Sequence, residues 1–148
     1  MSLIELLNQP LKSDEIIDLL EMNDAEVTYD FDRSHENMPD SYSTQIADLG
    51  LELTFDEHQK LQTIFIKVAD VDVTQAFDGE ITPFASMGQA LAFAEKTGLP
   101  IRQGRSELCG IPRHWIRLQH PSHFAHYEYQ SEQLTQISLT TRDVYATP

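Results

Sequence analysis

Residues 49–68 read LGLELTFDEHQKLQTIFIKV and carry the clearest local signal of secondary structure in the chain. From Leu49 to Asp56, apolar residues alternate with polar or small ones, which is the period of a half-buried β-strand. The polar run DEHQK over 56–60 then turns the chain, and residues 61–68 return as a second strand rich in apolar residues. The stretch therefore predicts an antiparallel β-hairpin.

Other elements extend from this hairpin in both directions. Upstream, the sequence predicts a short helix, a second helix with Ser13 as its N-cap, a strand and a polar loop, over residues 3–7, 14–22, 25–32 and 33–43. Downstream, it predicts a loop, a helix opened by Ser86, a second loop and three strands, over residues 69–83, 86–96, 102–112, 114–119, 123–130 and 134–141.

The order of these elements predicts the fold class. Consecutive strands joined by tight turns pair antiparallel, and helices at the breaks between strand groups cover one face of the sheet. We therefore expect an α+β fold: an antiparallel sheet of about five to six strands, with the N-terminal helices and one mid-chain helix packed on one face. Residues 1–148 are expected to form a single domain.

Composition excludes several classes of protein. With 41% hydrophobic and 23% charged residues, the chain has the make-up of a folded globular protein and not of a disordered one. No apolar run approaches the roughly 20 residues that span a bilayer. The N-terminus lacks the pattern of a signal peptide, and the single cysteine, Cys109, fits a reducing compartment. We therefore expect a cytoplasmic protein.

The net charge of −14 is distributed unevenly along the chain. Residues 1–80 hold 19 acidic and 4 basic residues, a net −15, whereas residues 81–148 hold 5 acidic and 6 basic residues, a net +1. A field of this sign repels nucleic-acid phosphates and anionic membranes. We therefore expect neither nucleic acid nor membrane as a partner. Solubility alone would also account for the acidic composition.

The acidic excess is densest between residues 13 and 40, where ten carboxylates accompany one basic residue, Arg33. Solvated outer faces of a helix and a strand would account for this density. So would a surface that meets a basic partner, because complementary charge accelerates association. Under the second interpretation, the predicted partner-binding residues are Asp14, Asp18, Glu21, Asp24, Glu26, Asp30, Asp32 and Glu36.

Four histidines offer an alternative: His114, His120, His123 and His126. A spacing of three on an extended chain alternates between faces, although Pro121 predicts a turn that would bring two of the rings together. Metal sites usually add a second type of ligand, and Cys, Asp and Glu are sparse nearby. We therefore predict no metal, and keep a small histidine-containing enzyme or metal-binding protein as the alternative function.

Two catalytic arrangements have weaker support. Cys109 with a histidine would form a nucleophile pair, and Glu128 with Glu107 or Asp143 would form an acid–base pair, but no spacing fixes either arrangement. The glycine-rich nucleotide-binding motifs, G-x-S-x-G and H-E-x-x-H are all absent from the sequence. We therefore predict that the protein is not an enzyme and uses no cofactor.

Several segments resemble a family of small bacterial proteins. These segments are G-x-E-x-x-F-D over 50–56, L-x-x-I-F over 61–65, a helix ending in G-x-P at 98–100, an aromatic strand pair with Trp115, Tyr127 and Tyr129, and a final alternating strand over 134–139. Over roughly residues 46–141 the chain resembles immunity proteins of bacterial polymorphic toxin systems, of the contact-dependent inhibition or type VI secretion kind.

The resemblance implies a cytoplasmic, non-enzymatic inhibitor that binds one cognate toxin, and it carries over no binding residue. Together with the acidic segment, it predicts a toxin domain with a basic surface, such as a nuclease, as the partner. A plain protein-interaction subunit remains a further alternative to the histidine-based one.

Overall fold

A computed structural model describes residues 2–30 and 40–141 as an α+β fold built on one antiparallel sheet. The α-helices are α1 (Asp14–Met22), α2 (Val73–Ala76) and α3 (Met87–Thr97). The strands are β1 (Val27–Asp30), β2 (Ser41–Ile46), β3 (Leu51–Phe55), β4 (Leu61–Lys67), β5 (Ile101–Leu108), β6 (Ile111–Gln119), β7 (Phe124–Gln130) and β8 (Gln133–Thr140).

The order of the strands across the sheet is β1-β2-β3-β4-β8-β7-β6-β5. Each neighbouring pair is antiparallel, and β4 pairs with β8 at the centre. The first half of the chain therefore builds one half of the sheet, and the second half of the chain builds the other. A difference in composition between the two halves of the sequence therefore becomes a difference between the half of the sheet formed by β1 to β4 and the half formed by β5 to β8.

One face of the sheet carries the hydrophobic core. The register places Leu53, Ile64, Leu139, Ala125 and Leu118 in one row across five strands. The helices add apolar side chains to the same core: Ile16 and Leu19 of α1, and Ala90 and Ala94 of α3. The hydroxyls of Tyr127 and Tyr129 donate hydrogen bonds of 3.0 and 2.9 Å to the carbonyls of Thr82 and Phe84. These bonds tie the chain before α3 to the sheet.

The hairpin and the two main helices are confirmed. β3 and β4 pair around the turn at 56–60, and their buried residues lie on one face. Ser13 caps α1 by accepting a hydrogen bond from the Ile16 N–H, and Ser86 caps α3 through the Gln89 N–H. Gly98 ends α3 in the left-handed conformation, with φ 72°. The capping residues therefore identified these helix ends from sequence.

The expectation of five to six strands was wrong, because the described residues alone form a sheet of eight strands. Two strands were missed: β2, whose first residues fall in the predicted loop 33–43, and β5, which occupies most of the predicted loop 102–112. β2 reads SYSTQI and buries Thr44 and Ile46 alone, while the described side chains of β5 are exposed or half-buried. Neither strand shows the apolar alternation on which the prediction relied.

Smaller differences concern element ends. The predicted first helix is a 3-10 turn at Ile4–Leu6, and the predicted loop 69–83 contains α2. β1 begins at Val27, and residues 31–39 of the predicted strand and loop lie outside the described residues. In the described part of the chain, no helix combines the length and the hydropathy needed to cross a membrane.

Candidate functional site

The outer face of α1 is acidic. Ile16 and Leu19 point into the core, while Asp14, Asp18 and Glu21 are exposed on the opposite side of the helix. The helix is thus amphipathic, with carboxylates on the side that faces solvent. These three predicted partner-binding residues form one continuous surface, which we call the α1 acidic face.

The spacing of these charges does not favour the helix itself. Asp18 lies four residues after Asp14 and three before Glu21, and like charges at these spacings destabilise a helix by about 0.2–0.5 kcal/mol per pair. Glu21 also lies in the last turn, which contains no basic residue. A carboxylate there opposes the helix dipole, which favours cations at the C-terminus. Helix stability therefore does not account for the placement of Asp18 and Glu21.

The remaining predicted partner-binding residues spread beyond α1. Asp24 is exposed in the turn after the helix, and Glu26 is exposed just before β1. The backbone carbonyl of Glu26 accepts a 2.7 Å hydrogen bond from the Thr44 hydroxyl. Asp30 is the last residue of β1, and Asp32 and Glu36 lie outside the described residues.

His120 and His123 come together at a tight turn, as Pro121 had suggested. Their rings stack with centroids 4.5 Å apart and an interplanar angle of 5°. The two rings line a cavity of about 140 Å³ on the covered face of the sheet, together with Glu80 and Tyr127. Burial, and then the neighbouring His120, lowers the pKa of His123 to about 4, so this ring is neutral at pH 7.

The carboxylate of Glu80, which lines this cavity, holds the N-terminal residues in place. It accepts hydrogen bonds from the backbone N–H groups of Leu3 and Ile4, at 2.8 and 3.1 Å, and from the Ser2 hydroxyl. Glu80 thereby anchors the N-terminal 3-10 turn. Within residues 2–30 and 40–141, no three His, Cys, Asp or Glu side chains form a group able to hold a metal ion.

The other two histidines of this group lie elsewhere. His126 points to the opposite face of the sheet, where its ring stacks on Trp115 at 5.2 Å. Glu128 lies beside it, with Oε1 3.5 Å from His126 Nε2 and Oε2 3.0 Å from Arg113 Nη2. The hydrogen bond with His126, supported by Arg113, lowers the pKa of Glu128. His114 lies on the covered face, opposite Tyr129.

The other catalytic arrangements are not assembled. Glu107 and Glu128 project from opposite faces of the sheet. Glu128 pairs with Trp115, which pairs with Gly104, so these three residues share one face. Glu107 is three residues beyond Gly104 on β5, and because side chains alternate along a strand it lies on the other face. Asp143 lies outside the described residues. Cys109 is exposed in the two-residue turn between β5 and β6, with φ 53°.

Two features of the sheet were not predicted from sequence. The four described arginines, Arg102, Arg105, Arg113 and Arg117, all lie on β5 and β6, at the opposite end of the sheet from β1. The indole of Trp115 lies across Gly104, so closely that a Cβ at Gly104 would be 2.7 Å from the ring. Both features depend on the pairing of β5 with β6, which the pattern of apolar residues does not predict.

Comparison with known proteins gives no relative: no family model, curated protein or solved structure matches this chain.

Proposed function

We propose that this protein is an immunity protein, which binds and neutralises a secreted toxin domain through the α1 acidic face. The partner would carry a basic surface, as a nuclease does where it binds nucleic-acid phosphates. The carboxylates of the α1 acidic face would occupy that surface in place of phosphates. Inhibition by occupancy needs neither a cofactor nor a catalytic residue on this chain.

One observation carries the proposal: two exposed carboxylates, Asp18 and Glu21, lie at positions where they destabilise their own helix. Asp14, Asp18 and Glu21 repel one another at helical spacing, and Glu21 opposes the helix dipole. A face selected for stability and solubility alone would alternate charge signs or place a basic residue in the last turn. A basic partner would offset the repulsion, because its charges pair with the carboxylates in the complex.

The distribution of charge over the molecule also favours the approach of a basic partner to the side of the sheet that carries α1. The acidic half of the chain forms α1 and strands β1 to β4, and the described arginines lie on β5 and β6. A basic protein approaching from a distance would therefore be turned toward the acidic half. Such steering raises association rates by roughly 10-fold to 1,000-fold at low ionic strength.

The first experiment tests inhibition directly. The domain encoded by the gene immediately upstream is co-expressed with this protein, and its toxicity is scored; the purified domain is then titrated with purified protein. We expect loss of toxicity and inhibition that saturates at one-to-one, with no protection against unrelated toxins of the same activity. A neighbour that is not toxic, or inhibition by far less than one equivalent, would exclude the proposal.

The second experiment tests the surface. The variant Asp14→Lys/Asp18→Lys/Glu21→Lys is compared with Asp48→Lys/Asp70→Lys/Glu95→Lys, which changes exposed carboxylates elsewhere and gives the same net charge. We expect the first variant to slow association at least roughly tenfold and to flatten its salt dependence, and the control to have a much smaller effect. Equal effects of the two variants would assign the charge dependence to net charge and exclude the α1 acidic face.

A further inference from the structure

The edge strand β5 presents backbone hydrogen-bonding groups. Among the strands that the structure describes, β5 pairs with β6 alone. The two-residue turn 109–110 makes Leu108 and Ile111 a hydrogen-bonded pair, so alternate residues of β5, beginning with Glu107, direct their N–H and C=O groups away from β6. Pro112, which has no N–H, lies opposite Glu107, as expected where no ladder hydrogen bond forms.

The side chains of β5 are self-complementary. Arg105 and Glu107 are both exposed and lie on the same face of the strand, two residues apart, with Ser106 between them on the other face. When two such strands pair antiparallel with Ser106 opposite Ser106, each Arg105 lies directly opposite a Glu107. Opposite charges directly across a strand pair stabilise it, and like charges destabilise it.

We propose that two copies of this chain form a dimer by pairing β5 with β5, about a two-fold axis at Ser106. The contact is isologous and continues the sheet from one copy into the other. Each copy contributes residues 104–108, with two Arg105–Glu107 pairs on one face and the two Ser106 side chains on the other.

Two other pairings of the sheet edges are less favourable. Moving the axis by one residue, to Arg105, places the two Arg105 side chains opposite each other. The other edge, β1, has four residues, follows Glu26 and ends in Asp30, so two copies of β1 would repel one another. Pairing through β5 also keeps the two β1 edges at opposite ends of the dimer, which limits repulsion between copies of charge −14.

Charge reversal tests the register. Sedimentation velocity of the full chain over a wide concentration range gives the dimer dissociation constant for the protein itself, Arg105→Glu, Glu107→Arg and the double variant with both changes. We expect each single change to raise the constant roughly fourfold or more, because like charges then face each other at two places. The double variant restores opposite charges and should return the constant to near its original value.

Covalent trapping gives an independent readout. Ser106 pairs with itself across the axis at a position without cross-strand hydrogen bonds, where Cα atoms lie about 4.5 Å apart, within the range that a disulfide spans. In a Cys109→Asn background, Ser106→Cys should form a covalent dimer under mild oxidation, whereas the control Gln103→Cys on the same strand should not.

Each result of these two experiments either supports the β5–β5 dimer or overturns it. Dimers that respond to charge reversal and crosslink through position 106 support the proposal. A monomer at all concentrations, equal crosslinking by both cysteine variants, or a series of larger species growing by β1–β5 contacts would overturn it.

Discussion

Gly104→Ala changes one hydrogen to a methyl group at the place where Trp115 lies across β5. The new Cβ would be 2.7 Å from Cε2 and Cζ2 of the indole and 2.8 Å from its Nε1, whereas ordinary contacts begin near 3.4 Å. The ring must therefore move by roughly 1 Å or leave its position, because a static packing cannot absorb such an overlap.

The expected cost follows from these contacts. Overpacking typically destabilises by about 1–3 kcal/mol, and a displaced ring also gives up part of its stacking on His126, worth about 0.5–1.5 kcal/mol. Alanine in a strand regains about 0.5–1 kcal/mol over glycine. The backbone of Gly104 is not in the left-handed region, so alanine fits its conformation. We expect Gly104→Ala to lower the free energy of unfolding by about 1–2 kcal/mol.

Urea denaturation followed by circular dichroism measures this change, in the protein itself and in a Trp115→Ala background. Without the indole, Gly104→Ala should stabilise the protein by about 0.5–1 kcal/mol. Because Trp115 is the single tryptophan, its fluorescence should also shift to longer wavelength in Gly104→Ala as the ring gains exposure. Equal destabilisation in both backgrounds would show that the cost does not come from contact with the indole.

Three further predictions concern stability. Glu21→Lys should raise the free energy of unfolding by about 0.3–1 kcal/mol, because a cation in the last turn favours the helix dipole, whereas Glu15→Lys in the first turn should lower it; thermal denaturation of both variants checks the sign. Burial lowers the pKa of His123 to about 4 in the folded protein, so between pH 6.5 and 4 the unfolded chain binds more protons than the folded one. The titration of this ring therefore leaves the free energy of unfolding unchanged above pH 6.5 and decreases it as the pH falls from 6.5 towards 4. Urea denaturation across that range should show a weaker pH dependence for His123→Gln, and an unchanged dependence would contradict the assignment. Glu132→Gly should stabilise the β7–β8 turn by about 1 kcal/mol, because Glu132 has φ 66°, and Glu132→Ala, which keeps a Cβ, should give no such gain.

The elements that could be predicted from sequence are those whose own residues carry the pattern of the structure they form. α1 combines a capping serine with an apolar stripe, and β3 and β4 combine alternation with a polar turn, so each could be predicted without knowledge of the rest. The exposure of the acidic residues of α1 also follows from local sequence, because helical spacing separates Asp14, Asp18 and Glu21 from Ile16 and Leu19.

The elements that were missed owe their conformation to their neighbours. β5 has no described side chain fully buried, and it is a strand because the turn at 109–110 aligns it with β6. β2 is polar at most positions and is held between β1 and β3. Strand formation of this kind depends on tertiary pairing, which a period-two pattern does not record. The contact of Trp115 with Gly104 and the clustering of the arginines were hidden for the same reason.

Stopped-flow association with the domain encoded immediately upstream tests whether the α1 acidic face binds a basic toxin domain. The rate is measured as a function of salt for the protein itself, the Asp14→Lys/Asp18→Lys/Glu21→Lys variant and the control variant of equal net charge. We expect the rate to decline steeply with salt for the protein itself and for the control, and to be slow and nearly independent of salt for the α1 variant. An α1 variant that associates as fast as the control at every salt concentration would contradict binding through this face.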